Sequence, residues 1–129
     1  MDAGPMVALL SARDRHHRAC RTALRRVREE LVTVWPAVTE AMYLLGTSTA
    51  QDLLWGMLLE ENPRILPLDS GDMHGMRLLM RKYSDHPMDL ADAALVHVAE
   101  RDDIRKIFTI DRADFTVYRV RGRALSLLP

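Results

Sequence analysis

Apolar positions along this chain switch several times between a period near 3.6 and short unbroken runs, and the switches predict the elements. Gly4-Pro5 breaks the chain just after Asp2, and a short helical stretch is expected over Met6–Leu10. Asp14 is placed as the N-cap of a long, polar-faced helix running to about Glu30. Leu31–Trp35 reads as a strand. Pro36 then suits the first turn of a helix, where its missing N–H would be unpaired anyway; Val38, Met42 and Leu45 mark its apolar side, and Gly46 its end. Thr47 or Ser48 caps the next helix, whose face is Leu53, Leu54, Met57 and Leu58.

Arg64–Leu68 is the next expected strand, followed by a helix carrying Met73, Met76, Leu79 and Met80. Pro87 restarts the chain. The strongest pattern is Asp89–Arg101, a helix with the stripe Leu90, Ala93, Ala94 and Val98. Lys106–Ile110 is expected as a strand, Arg112–Asp114 as a single turn and Thr116–Val120 as a last strand. Strands alternating with helices predict an α/β fold, a three-layer α/β/α sandwich around a short, mostly parallel sheet. With 129 residues and no linker or repeat, one domain over 1–129 is expected.

Composition narrows the class. Apolar residues are 48% of the chain and charged residues 28%, a globular balance. No apolar run reaches the roughly 18–20 residues of a membrane span, and no leader is recognisable, so a cytoplasmic protein without a membrane partner is expected. The one cysteine, Cys20, cannot form an internal disulfide. Eighteen basic and eighteen acidic side chains cancel, so distribution matters more than the sum. Between Arg13 and Arg28 lie seven arginines against one acid, Asp14; Arg119, Arg121 and Arg123 form a second basic group. The arginine stretch reads either as a solvated helix face or as a contact for RNA phosphates or a partner's acids.

Ligands of parallel sheets bind beyond the carboxyl ends of the strands. Asp2 near the chain start, Asp111 after a strand, and Glu40 and Asp92 in first turns of helices are therefore acids that topology can bring to one edge. Each has an ordinary explanation. Asp111 can cap a turn, Asp89 and Asp92 complement a helix N-terminus, Glu40 can be solvated, and Asp2 can be a frayed end. The five histidines show no zinc spacing, and Cys20, Ser11 and Thr39 have no base at motif spacing; Thr109 is a weak candidate to support the acids. Met73, Met76 and Met80, with Trp55 and Met57, read first as core.

Taken in order, MDAGPMVALLSARDRHH, TVWPAVTEAMYLL, MDLADAALVHVAER and IFTIDRADF resemble the four successive motifs of the PIN-domain family, VapC-type toxins in particular. The resemblance covers nearly the whole chain. It implies a magnesium-dependent endoribonuclease, with manganese as a substitute, in which Asp2, Glu40, Asp92 and Asp111 are the catalytic, metal-holding quartet. Asp89 and Asp114 would flank them as further metal ligands. It also implies an RNA substrate, a small antitoxin as protein partner, and a homodimer. The family's first motif follows four or five apolar residues of a central strand. Here Met1 alone precedes Asp2, which leaves an upstream start or an abbreviated strand. Two other classes stand against this expectation: a catalytically silent PIN-like module that binds RNA or protein, and a phosphoryl receiver using Asp69 at the end of ILPLD. The receiver would need a paired-acid motif and a late lysine that this chain lacks.

Overall fold

A computed structural model of the chain describes residues 1–86 and 88–129; Pro87, the expected restart, lies outside the described residues. Helix α1 (Ala3–Leu10) begins earlier than Met6, because Asp2 caps it: the Asp2 carboxylate accepts the Ala3 N–H, and Pro5 fits the first turn. Gly4 is therefore helical, and it is required there by proximity: a Cβ would stand 2.6 Å from Ile110 Cγ1. Helix α2 (His17–Leu24) is much shorter than the expected 14–30. Asp14 spends its side chain on the His16 N–H, one turn ahead of the helix. Beyond Leu24 the chain leaves the helix to reach strand β1 (Val32–Thr33), half as long as the Leu31–Trp35 expected.

Helix α3 (Trp35–Leu45) carries Pro36 in its first turn and ends on Gly46 at φ 67°, the left-handed cap that glycine adopts freely. Helix α4 (Ser48–Leu59) is capped by Thr47. Strand β2 (Arg64–Ile65) is cut short of Leu68, where Pro67 offers no N–H to a ladder. Asp69 does not end a strand: it is exposed and forms a capping box with Asp72 around a 3₁₀ turn, Ser70–Asp72. Helix α5 (Met73–Lys82) follows, then α6 (Leu90–Arg101), capped by Asp89. The expected stripe of α6 is corrected at Leu90, which is 53% exposed; Ala91, Ala93, Ala94, Leu95, Val96, Val98 and Ala99 are the buried positions. This helix is the central pillar, packed on α3 and α5. Gly75 of α5 lets the two helices approach, since a Cβ there would lie 2.5 Å from the His97 ring. That ring is held by Asp72 at 2.8 Å.

Strand β3 (Lys106–Phe108) leads to α7 (Arg112–Val117), longer than the single turn expected because Phe115 is drawn wholly into the core. The last expected strand shrinks accordingly to β4 (Arg119–Val120), which turns through Arg121 and Gly122, both at positive φ, into β5 (Arg123–Ala124). Strand β6 (Ser126–Leu128), not anticipated, pairs parallel with β3. β1 pairs parallel with β2, and β4 antiparallel with β5.

Met1 and Asp2 bridge the two parallel ladders. The Met1 ammonium donates to the Val32 carbonyl (2.6 Å), Thr33 Oγ1 donates to the Met1 carbonyl (2.8 Å), and the Asp2 N–H donates to the Phe108 carbonyl (2.9 Å). The spatial order is thus β2, β1, residues 1–2, β3, β6. Two residues do the work of a central strand, and their position puts the Asp2 side chain at the carboxyl edge. Among the described residues, no helix is long and apolar enough to cross a membrane.

Candidate active site

The carboxyl edge of this sheet gathers acids from four places in the chain. Asp2 caps α1, Glu40 lies in the second turn of α3, Asp89 and Asp92 open α6, and Asp111 and Asp114 open α7. The local reasons are those that make acids good caps: Asp89 accepts the Asp92 N–H at 2.8 Å, and Asp111 accepts the Asp114 N–H at 3.3 Å. Capping and convergence therefore coexist in the same side chains.

Asp2 is the most buried of them, 7% exposed. One of its oxygens accepts from Ala3 N (2.6 Å) and the other from Thr109 Oγ1 (2.7 Å). Thr109 itself is fully buried and accepts the Asp111 N–H at 3.0 Å, so one hydroxyl ties Asp2 to the loop that carries Asp111. Asp92 is half-buried, and its Oδ2 accepts from the Tyr118 hydroxyl at 3.0 Å. Tyr118 is held edge-on between Tyr83 and Phe115, with ring centroids 5.0 and 5.3 Å away, an aromatic wall that fixes the donor. His86 Nε2 lies 2.8 Å from Asp114 Oδ1, off the line of a good hydrogen bond.

Electrostatics shows that the six acids share one neighbourhood. Burial lifts the Asp92 carboxyl to about 7, with Asp89, Asp2 and Asp114 adding repulsion and the Tyr118 hydrogen bond opposing it. Glu40 is pushed up by burial and then by Asp2, Asp89 and Asp111. Burial raises Asp2 as well, against its Thr109 and Ala3 hydrogen bonds. The Tyr118 phenol is pushed far up by burial and by Asp92 beside it, so it stays a donor. Among the described residues, no lysine or arginine forms an ion pair with any of the six. The side chains stand apart: no three of the described acids, histidines or cysteines close on one point at ligand distance.

All six acids that the resemblance names are thus at this edge. Thr109, only a weak candidate there, is central to holding Asp2. Tyr118 and His86 gave no signal, because an aromatic in an expected strand reads as core and His86 has no ligand or base at motif spacing. His97 instead pins α6 to Asp72 at 2.8 Å. The expected core methionines are corrected: Met73 is 61% exposed, Met80 38% and Trp55 46%.

A short parallel sheet wrapped by helices, with an uncompensated acidic rim at its carboxyl edge, defines a class of α/β proteins rather than one protein. Residues 1–120 match the family described as PIN domain, and the chain belongs to that family. It is 26% identical over 133 residues to Ribonuclease VapC26 of Mycobacterium tuberculosis, spanning 100% of this chain and 98% of that relative. It also shares its fold with the crystal structure of Mycobacterium tuberculosis VapC20, titled a Sarcin-Ricin loop cleaving toxin. That superposition has a TM-score of 0.74 at 15% identity and covers 81% of this chain and 83% of the other. The receiver reading is excluded by these matches and by the exposed, capping role of Asp69.

Proposed function

We propose that this chain is a divalent-metal-dependent endoribonuclease, the toxin of a VapBC-type toxin–antitoxin pair, with Asp2, Glu40, Asp92 and Asp111 as the metal-holding quartet and Asp89 and Asp114 flanking it. The observation that carries the reading is a set of carboxyl groups at one sheet edge, of which Asp2, Glu40 and Asp92 are pushed up, with no lysine or arginine paired to them among the described residues. Carboxylates so placed repel one another unless a hard cation is present, and an all-oxygen donor set suits magnesium, with manganese as substitute. When bound, such an ion supplies a more acidic water and neutralises charge on the scissile phosphate.

The chain's own residues do the rest. Thr109 and the Ala3 N–H hold both Asp2 oxygens in place, so Asp2 is presented without a search through rotamers. Tyr118 fixes one oxygen of Asp92 and leaves the other free. With its carboxyl at about 7, Asp92 is partly protonated near neutral pH, and a cation that compensated its charge would favour the ionised form. The family match over residues 1–120 and the ribonuclease relative at 26% identity support RNA as substrate. An antitoxin and a second copy of the chain are the expected protein partners. Trp35, Tyr43, Trp55 and Leu59, exposed on α3 and α4, offer apolar area for them. An RNA substrate and an antitoxin of this kind belong to the cytoplasm.

The test is direct. Incubated with labelled cellular RNA, the purified protein should produce discrete fragments with magnesium, none with EDTA, and fragments again after manganese is added. Intact RNA under all three conditions, with the protein folded by circular dichroism, would leave the silent binding module as the better reading.

A further inference from the structure

Outside the acidic rim, the strongest charge asymmetry lies along α2. Arg18 and Thr22 lie four residues apart on α2, and Arg15, in the turn before the helix, and Arg26, in the turn after it, line the same groove. They form one wall of a groove of about 660 Å³, with Ala19, Ala23 and Val27 between them and Lys106, Leu128 and Pro129 opposite. Among the described residues, none of the three arginines forms an ion pair, whereas Arg64, Arg101, Arg105 and Arg121 each meet a carboxylate. Glu29 also lines the groove, but it is bound to Lys106.

The far wall runs into the acidic rim. The Leu128 carbonyl accepts the Thr109 N–H at 2.8 Å, and the Pro129 carbonyl accepts from Arg112 Nη1 at 2.7 Å. Thr109 holds Asp2, and Arg112 follows Asp111. The groove and the rim are therefore contiguous through two hydrogen bonds, and Arg112 adds an exposed cation at the junction.

We propose that this arginine groove seats the sugar–phosphate backbone of the RNA as it leaves the acidic rim. The proposal rests on the RNA-cleavage reading above and adds where the rest of the strand lies. Arg15 spends its Nε on His16 Nε2 at 2.8 Å, but none of the three guanidiniums meets a carboxylate, and such groups match phosphate in geometry and charge. The lining between the arginines is apolar, but its side chains are alanines and one valine, too small to frame a pocket for a large anchor. That composition favours a polyanion over a protein helix, whose docking needs large buried anchors.

The test measures binding without catalysis. A short fluorescein-labelled single-stranded RNA of mixed sequence is titrated in EDTA, by anisotropy, across a salt series. Replacing three arginines in the variant Arg15→Gln, Arg18→Gln, Arg26→Gln should weaken binding about tenfold or more. It should also lower the log–log salt slope by about 2, at roughly 0.7 per lost phosphate contact. The control Arg77→Gln, Arg81→Gln on α5 should leave both unchanged. Arg18→Gln alone should give about a third of the slope change, which keeps the test open if the triple variant fails to fold. An unaltered slope in the arginine variants, or an equal loss in the control, overturns the proposal. So would intact RNA binding with lost capture of an antitoxin, which would assign the face to protein. Because cleavage is never read, an inactive wild-type protein would sink the nuclease reading and leave this result legible.

Discussion

The two ends of α6 carry carboxylates of the same kind in opposite conditions. At its start, Asp89 and Asp92 meet no cation; at its end, Asp102 lies 3.0 Å from Arg101, and Asp103, just beyond, 2.8 Å from Arg105. Around that far end Glu30 is clamped by Arg64 and Glu29 by Lys106. The Arg101 and Arg105 guanidiniums hold Asp102 and Asp103 below the usual carboxylate range, while Asp92 rises to about 7. The helix dipole acts the other way at both ends, favouring anions at the start and disfavouring them at the end. Its effect is about 0.3–1 kcal/mol, less than one pKa unit, so it loses to burial and repulsion at one end and to an adjacent guanidinium at the other. Position in a helix end does not separate the two groups of acids; paired guanidiniums at one end and burial with mutual repulsion at the other do.

Removing one rim charge should break the comparison most. Asp92→Asn should cut RNA cleavage by about a hundredfold or more, the scale for losing a charge-stabilising group. The same change should hold or raise the melting temperature without added metal, because repulsion is relieved. Wild-type cleavage rates in that variant would remove Asp92 from the quartet.

Next in size is the response to cations and protons. An unfolded Asp titrates near 4 and Asp92 in the folded chain near 7, so between these values the folded state holds a proton that the unfolded chain has lost. Stability of the metal-free protein should therefore fall as pH rises through that window, with the penalty complete above 7. Asp92→Asn should flatten the profile in urea titrations. At neutral pH, magnesium at a hundred times its dissociation constant should add about 2.7 kcal/mol. A flat profile, or no stabilisation at saturating metal, would contradict the uncompensated rim.

A smaller effect is expected for Thr109→Val, which keeps the shape but removes the hydroxyl shared by Asp2 and the Asp111 N–H. The loss should be about 1–3 kcal/mol by urea unfolding, since it strips a buried carboxylate of a donor. An unaltered midpoint would mean that Asp2 is held by the Ala3 N–H alone. Smallest of all, Arg64→Ala at the opposite end should leave cleavage and melting temperature within error, because the Glu30 pair is solvent-exposed.

Much of this was legible from residue pattern. α3, α4 and α6 were bounded within a residue or two because Pro36, Gly46, Thr47 and Asp89 are local stop and start signals. The family resemblance pointed to the six acids that the fold brings to this edge; their roles are the proposal above. Helix α2 was overextended because nothing between Leu24 and Glu30 is a helix breaker; the demand that ends it is tertiary, the need to deliver Val32 to β1. Burial of Phe115 similarly turned an expected strand start into a second turn of α7. β6 escaped because its ladder partner lies some twenty residues away, and no short-range pattern marks Ser126–Leu128 as an edge. Tyr118 escaped for a related reason: its role depends on a partner, Asp92, on another element.

Gly75 has a consequence for working with the protein in cells. The α5–α6 contact leaves no room for even a methyl group against a ring that Asp72 keeps from swinging aside. Alanine there would loosen a helix pair while leaving every rim acid unaltered. Such an allele should be temperature-sensitive, lost when warm and restored on cooling, which provides a conditional switch for the proposed activity.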